Sequence, residues 1–402
     1  MPATLREKTV LRLIGAAVAL AALAGCEPAP VKPEGIQLTA IRYDRLPGWA
    51  DDDHKAALAA FLRSCPVLTD EKVKNNGDDS SLVLTAADWR EPCAQAAARS
   101  KGTAKEARAF FERAFRPFAV SGPEGNEGLF TGYFEIELRG AARKSEQFAV
   151  PIYRLPEDHV QADLGAFDPK LKGQRIVGRV EAGRLLPYFS RRDIESGALK
   201  GRGLEMLWID DPVDVFMLHV QGSGRVVLPD KRVVRVGFAG HNGLPYESIG
   251  RALIDQGELQ PGKASWPEIR DWVQRNSAKA AALFALNPRF IFFRFIEGVP
   301  PEAGPIGAQG VPLTPGRSLA VDRRYVPLGL PVWLDTTWPA EQRPLQRLLI
   351  AQDAGNAIKG VVRGDYFWGY GAEALAFAGK MKSRGRYYLL VPAAAAGRLA
   401  QS

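Results

Sequence analysis

The chain has 402 residues, of which 46% are hydrophobic and 24% are charged, and it carries a formal net charge of +8. This composition is ordinary for a globular protein, and the sequence has no long low-complexity tract and no repeat of fixed period, which excludes fibrous and solenoid folds. The length favours two domains, and the positive charge suits an anionic partner such as nucleic acid, anionic lipid or a cell-wall polymer with carboxylates.

The first residues have the pattern of a secretory signal. Arg6, Lys8 and Arg12 form a basic segment, and an apolar run, Leu13–Leu23, follows it. Such a run is too short to span a bilayer as a mature helix, but it has the length of the hydrophobic region of a signal peptide. We therefore expect residues 1–25 to be removed.

A cysteine at the end of this signal predicts lipid anchoring. The segment Leu23-Ala24-Gly25-Cys26 resembles the bacterial lipoprotein signal, in which the cysteine is acylated and becomes the new N-terminus. An ordinary cleavage site with an incidental cysteine is the alternative. Residues 26–34 are rich in proline, which predicts a stiff tether. The expected location is the outer membrane of a Gram-negative bacterium, facing the periplasm.

The segment from Trp49 to Phe118 is predicted to be helical, because it is rich in alanine and its apolar residues recur at helical spacing. It contains Cys65 and Cys93. In an oxidising periplasm a pair of cysteines more often forms a disulfide than not. A bridge is therefore predicted, with two buried free thiols as the alternative.

From Gly128 onward the sequence predicts strands, because aromatic and β-branched residues alternate with Gly- and Pro-rich turns. The predicted strands are Leu129–Leu138, Phe148–Arg154, Val215–Gln221, Arg225–Leu228, Arg232–Phe238, Arg289–Phe295, Pro331–Leu334, Leu345–Ala351 and Arg386–Val391. Short helices are expected after Ser190 and Ser265, which begin capping boxes, and over Tyr246–Gln256. Many short strands indicate a mainly β fold built from barrels or sandwiches.

Several classes of site lack their sequence patterns. The four histidines are scattered, so neither a metal site nor a metal cofactor is expected. No phosphate-binding loop is present, and no Gly-x-Ser-x-Gly motif of an α/β-hydrolase. The segment Gln221–Gly224 contains Ser223, but its place between two predicted strands favours a tight turn over a nucleophile.

Carboxylates among glycines and aromatics remain as candidates. Asp353 is expected where an apolar strand runs into a glycine loop, and Asp365 follows, next to the aromatic segment 366–370. Burial at the end of a strand raises the pKa of an aspartate and lets it act as a general acid, and a second carboxylate adds to the effect. Aromatic rings suit the flat faces of sugars. The alternative is that Asp353 only caps a turn and the aromatics are core residues.

These motifs resemble the membrane-bound lytic murein transglycosylase A family. The resemblance rests on the segments 305–322, 351–360 and 364–365, which contain the family's three aspartates as Asp322, Asp353 and Asp365. Upstream segments are similar and follow in the same order: 131–135, 151–154, 210–214, 221–224 and 243–246. The similarity runs from about residue 128 to 392 and is weaker over the helical segment before it.

The resemblance implies a double-psi β-barrel with a smaller β-domain inserted into it and a groove between the two. The barrel domain would comprise residues 35–135 and 240–402, and the insertion 136–239. It also implies cleavage of peptidoglycan glycan strands, with Asp353 as acid and base and with Asp365 and Asp322 positioning and tuning it. Lys359 would bind substrate carboxylates or pair with an aspartate, unless it is simply a solvated turn residue.

The groove wall is expected to contain the further substrate-binding residues Gly355, Tyr133, Gln221, Ser223 and Tyr246. Other cell-wall enzymes are further candidate partners, and no nucleic acid is expected. Three alternatives remain: a hydrolytic glycosidase on the same barrel, a non-catalytic wall-binding lipoprotein, and an outer-membrane scaffold for other wall enzymes. The mode of cutting and the oligomeric state have no signal in the sequence.

Overall fold

The computed structural model describes residues 35–73, 82–355 and 357–399. The predicted signal peptide, Cys26 and the tether lie outside these residues. The described residues form sixteen strands. In chain order β1 to β16 are Gln37–Ala40, Phe115–Ser121, Gly128–Ala141, Val150–Tyr153, His159–Asp163, Arg175–Glu181, Arg184–Pro187, Glu205–Ile209, Ser223–Val227, Val233–His241, Ile291–Ile296, Ser318–Val321, Pro331–Thr337, Pro344–Asp353, Arg363–Tyr370 and Lys382–Pro392.

The described residues also form ten α-helical segments, several of them very short. In chain order α1 to α10 are His54–Leu68, Ala86–Ala98, Ala104–Ala114, Arg191–Asp193, Pro212–Gln221, Ile249–Asp255, Trp266–Arg275, Ala280–Phe284, Gly371–Ala378 and Ala393–Leu399.

Six strands close into a barrel in the order β16, β13, β14, β12, β15 and β3. The ring is closed because β3 pairs with both β15 and β16. The pairs β12–β14 and β15–β3 are parallel and the other four are antiparallel. Closure leaves no unpaired edge within the ring, and buried apolar side chains such as Leu319, Leu349 and Leu389 form its core.

Strand β3 extends from the barrel into a second β-unit. Its residues 129–135 pair with β15, and its residues 136–139 pair with β9, which continues the sheet through β10 and β11. A second hydrophobic cluster, which includes Ile136, Leu138 and Phe293, packs there. These observations confirm the predicted mainly β fold with a barrel and a second β-unit. The exact boundaries of the two domains stay a prediction.

Helices α1, α2 and α3 pack against the barrel and share its core through aromatic side chains such as Phe61 and Phe111. A disulfide joins Cys65 in α1 to Cys93 in α2, with 5.6 Å between their Cα atoms. The bridge connects two helices that are 28 residues apart in sequence, so it holds the helical layer together on one side of the barrel.

Three predictions of local structure were wrong. Residues Val215–Gln221 lie in helix α5, because Asp211 caps its N-terminus by accepting a hydrogen bond from the Val213 N–H and Pro212 occupies its first turn. The segment Gln221–Gly224 is consequently a helix-to-strand connection, with Gly222 at φ +78°, and not a turn between strands. The helical segment ends at Ala114, and residues 115–118 belong to β2.

Within the described part of the chain, no helix has both the length and the apolar character needed to cross a bilayer.

Candidate functional site

The strand register brings Asp353 and Asp365 to the same place in the barrel. Ala320 on β12 pairs with Asp353 of β14 on one side and with Asp365 of β15 on the other. Register partners point to the same face of a sheet, and two strand spacings amount to roughly 9–10 Å between backbones. Two carboxylates that are 12 positions apart in sequence therefore face one another across β12.

Asp353 is half-buried and accepts three hydrogen bonds. The backbone N–H groups of Ala308 and Ala354 donate to Oδ1 at 2.8 and 2.9 Å, and the Tyr133 hydroxyl donates to Oδ2 at 2.9 Å. Burial raises the pKa of Asp353, and the three donors oppose this shift only partly. A raised pKa increases the protonated fraction of a carboxyl group at a given pH, which favours its action as a general acid.

Asp365 is the second carboxylate of the site. It accepts a hydrogen bond from the Thr131 hydroxyl at 2.6 Å, and Thr131 is its register partner on β3. Burial raises the pKa of Asp365, and the negative charge of Asp353 acts in the same direction against the lowering by Arg363. Two carboxylates with raised pKa values share one site, and such pairs concentrate at functional positions.

A network of buried amides lies behind Asp353. The Gln352 side chain accepts from the Ser318 hydroxyl at 2.6 Å and donates to Ser64 of α1 at 2.9 Å. Ser64 in turn donates to Gln309 at 2.7 Å. Because Gln309 follows Ala308, this network holds the backbone donor of Asp353 in place. The register between β12 and β14 shifts at Gln352, which is the kind of bulge that redirects side chains near functional sites.

The hydrogen-bond partners of Asp322 differ from those of Asp353 and Asp365. Its carboxylate accepts hydrogen bonds from the Arg324 guanidinium, the shortest at 2.6 Å, and from the backbone N–H of Gly360 at 2.9 Å. Burial by itself would raise the pKa of Asp322, but these hydrogen bonds and the charge of Arg324 outweigh it and lower the pKa. Asp322 therefore remains ionised and fastens the end of the loop that follows Asp353.

The structure does not bring Lys359 to the aspartate pair. Its side chain is exposed and lines a cavity of 370 Å³ together with Tyr325, Arg363 and Arg384. Gly355 lies in the loop after Asp353, where a Cβ atom would come within 3.1 Å of the Ile358 side chain.

The other predicted groove residues lie in three places. Tyr133 contacts Asp353 directly and packs against the ring of Phe367. Gln221 and Ser223 line a cleft of 560 Å³ in the second β-unit. Tyr246 is exposed in the segment before α6 and does not line that cleft.

Three residues of the site had not been predicted. Thr131 could have been found, because it lies two positions before Tyr133 and therefore on the same face of one strand. Ala308 acts through its backbone N–H, and Ser64 comes from a helix far away in sequence, so no local signal marks either of them. No cluster of His, Cys, Asp and Glu that could hold a metal ion occurs among residues 35–73, 82–355 and 357–399.

Comparisons with known proteins point to one family. The family model for the MltA specific insert domain matches residues 129–294, and the model for the 3D domain matches residues 317–391. The chain is 34% identical to membrane-bound lytic murein transglycosylase A of Vibrio cholerae over 65% of each chain. The match therefore spans slightly less than two thirds of that relative.

Solved structures extend the similarity to most of the chain. MltA of Neisseria gonorrhoeae is 34% identical, with a TM-score of 0.76 over 90% of this chain and 92% of that one. Escherichia coli MltA with bound chitohexaose is 25% identical, with a TM-score of 0.61 over 90% and 95%. The family predicted from the motifs is confirmed: the chain belongs to the membrane-bound lytic murein transglycosylase A family, whose members are lyases that act on peptidoglycan.

Proposed function

We propose that this protein cleaves the β-1,4 bond between MurNAc and GlcNAc in peptidoglycan with Asp353 as its acid and base. The observation that carries the proposal is the half-buried carboxyl of Asp353, whose pKa is raised by burial and whose position is held by three hydrogen-bond donors. The relative from Escherichia coli binds chitohexaose, which is itself a β-1,4-linked chain of GlcNAc units.

The proposed reaction needs one acid–base group. Protonated Asp353 donates its proton to the glycosidic oxygen while the bond from this oxygen to C1 of MurNAc breaks. The C6 hydroxyl of the same MurNAc then attacks C1, and the Asp353 carboxylate takes its proton. The products are a free GlcNAc end and a 1,6-anhydro-MurNAc end, Asp353 is protonated again, and no water is consumed.

Asp365 and Asp322 have supporting roles in this proposal. Asp365 lies across β12 from Asp353 and provides a second negative charge when ionised, which favours the protonated form of its neighbour. Asp322 fastens the loop that leaves Asp353 through its hydrogen bond from Gly360. Tyr133 lies against the acid, and we propose Gln221, Ser223, Tyr246, Gly355 and Lys359 as further substrate contacts.

The test is mass spectrometry of the fragments released from purified peptidoglycan by the protein without residues 1–26 and by its Asp353→Asn variant. Asparagine keeps an oxygen for the Ala308 and Ala354 N–H groups, and its NH₂ group can donate to the Tyr133 hydroxyl oxygen, so the shape of the site is kept while the titratable proton is lost. Anhydro-MurNAc ends from the parent, reduced by about 10²–10⁴-fold in the variant, support the proposal. Asp335→Asn changes another half-buried carboxylate on the same barrel and should have no effect.

Other results of this experiment would support one of the alternative functions. Reducing MurNAc ends would identify a hydrolase, which needs a second carboxylate for water. Binding of peptidoglycan without any release would identify a wall-binding lipoprotein or a scaffold.

Membrane attachment is a separate proposal. The relatives are named membrane-bound, and we propose that this chain is an outer-membrane lipoprotein anchored through acylated Cys26. Several acyl chains give stable anchoring, since each buried methylene contributes about 0.8 kcal/mol. The Cys26→Ala variant of the full chain should lose incorporated radiolabelled fatty acid and leave the outer-membrane fraction. Retention there in unlabelled form would contradict the proposal.

A further inference from the structure

The second β-unit contains a cleft beside the proposed acid. The cleft has a volume of 560 Å³ and is lined by Pro305 and Ile306 together with residues of α5, β9, β10 and β11. Ile306 is two residues from Ala308, whose N–H contacts Asp353. Two residues of extended chain span at most about 7 Å, so the cleft begins close to the site of cleavage.

The charges that line this cleft are not balanced. Arg235 is paired with Glu135, with 3.2 Å between Nε and Oε1. Arg289 donates to the Leu244 carbonyl at 3.0 Å, and burial lowers the pKa of its guanidinium. Neither Arg289 nor Arg294 has a carboxylate partner among the described residues. The lining therefore holds two positive charges without counter-ions, which suits an anionic ligand.

The cleft also exposes apolar surface. Phe238 and Ile306 are 48% and 45% exposed, although both are large hydrophobic residues. Gln221 and Ser223 belong to the same lining and carry hydrogen-bonding groups. A pocket with apolar walls, a few hydrogen-bonding groups and unpaired guanidinium groups fits a short peptide that has small side chains and carboxylates.

We infer that this cleft binds the peptide attached to MurNAc, with Arg289 and Arg294 paired to its carboxylates and Gln221 and Ser223 bonded to its amides. The inference rests on the proposed function, because the peptide reaches the cleft only if MurNAc lies at Asp353. The sugar backbone of a glycan strand carries no charge of its own, so it gives no reason for two unpaired arginines. The peptide branches from the lactyl group at C3 of the same MurNAc ring whose C1 carries the cleaved bond.

The test compares two substrates: glycan strands with their peptides, and the same strands after an amidase has removed the peptides and the freed lactyl carboxylates have been converted to methyl esters, which keeps the bare strands uncharged. Arg294→Ala is the main variant, because Arg294 is exposed on β11 and its loss should not affect folding. We expect about a tenfold lower kcat/KM on peptide-bearing strands and no change on bare strands, as for one lost charge-assisted hydrogen bond. Arg289→Gln should act in the same direction.

Arg113→Ala is the matched control, since it removes an exposed arginine from α3 on the helical layer. It should leave both rates unchanged. An equal loss on both substrates, or no loss on either, would overturn the inference while leaving the proposed function intact. If the parent protein forms no anhydro-MurNAc ends from either substrate, the proposed function itself fails and the inference fails with it.

Discussion

The Tyr133 hydroxyl offers a direct way to perturb the proposed acid. Its O–H donates to Asp353 Oδ2 at 2.9 Å, while Oδ1 is held by two backbone N–H groups. Tyr133→Phe removes this donor and keeps the ring, which packs at 5.1 Å from the Phe367 ring. The variant therefore alters the balance between the ionised and protonated forms of Asp353 without removing side-chain volume from the barrel.

The sign of the effect follows from which form the hydrogen bond stabilises. A donor aimed at a carboxylate favours the ionised form, so its loss raises the pKa of Asp353 further above its usual value. A hydrogen bond to a charged group contributes about 1.5–3 kcal/mol, and solvent reduces this contribution at the partly exposed site of Asp353. Since 1.36 kcal/mol corresponds to a tenfold change, the alkaline limb of the pH profile should move by roughly one pH unit to higher pH.

The assay is kcat/KM for the release of anhydro-MurNAc ends as a function of pH, because this ratio reports ionisations of the free enzyme. Tyr188→Phe is the control, as it removes a similar hydrogen bond from tyrosine to Asp158 in a different part of the protein. It should not shift the profile. An unmoved alkaline limb in Tyr133→Phe would refute the assignment of that limb to Asp353.

Three further predictions concern the carboxylates and the disulfide. Because burial raises the pKa of Asp365, its ionised form destabilises the fold at neutral pH. The Asp365→Asn variant should therefore lower activity about tenfold without lowering the melting temperature. A fall in both activity and melting temperature would indicate a structural role. Asp322 has a lowered pKa, so Asp322→Asn should cost about 1–3 kcal/mol of unfolding free energy at neutral pH, and denaturant titrations should show the difference vanishing as pH falls below that pKa. Removal of the Cys65–Cys93 disulfide should lower the free energy of unfolding by about 3–4 kcal/mol for its separation of 28 residues; a melting temperature indifferent to reductant would contradict this.

Half of the sixteen strands among the described residues were predicted, namely those with a clear local signal; β12, which lies between the two aspartates of the site, and β15, which carries one of them, were not. Residues 344–353 form a strand as their apolar pattern predicts, and β3 begins and ends close to the predicted bounds. The signal failed for residues 215–221, where β-branched residues favour a strand but the Asp211 cap and Pro212 start a helix. Caps act on the backbone of the first turn, and here they outweighed the propensity of the side chains.

The sequence by itself determined the family, the mainly β fold and the choice of Asp353 and Asp365, because these depend on residue types in a fixed order along the chain. Only the tertiary structure decided what surrounds these carboxylates. The donors Ala308 and Tyr133 lie 45 and 220 positions from Asp353, and closure of the barrel brings them to it. It also decided that the Gly360 N–H donates to Asp322, 38 positions away, and that Lys359 lines a cavity with Tyr325 and Arg384. Burial and hydrogen bonding set the pKa of each carboxyl, and both depend on the packing of strands that are distant in sequence.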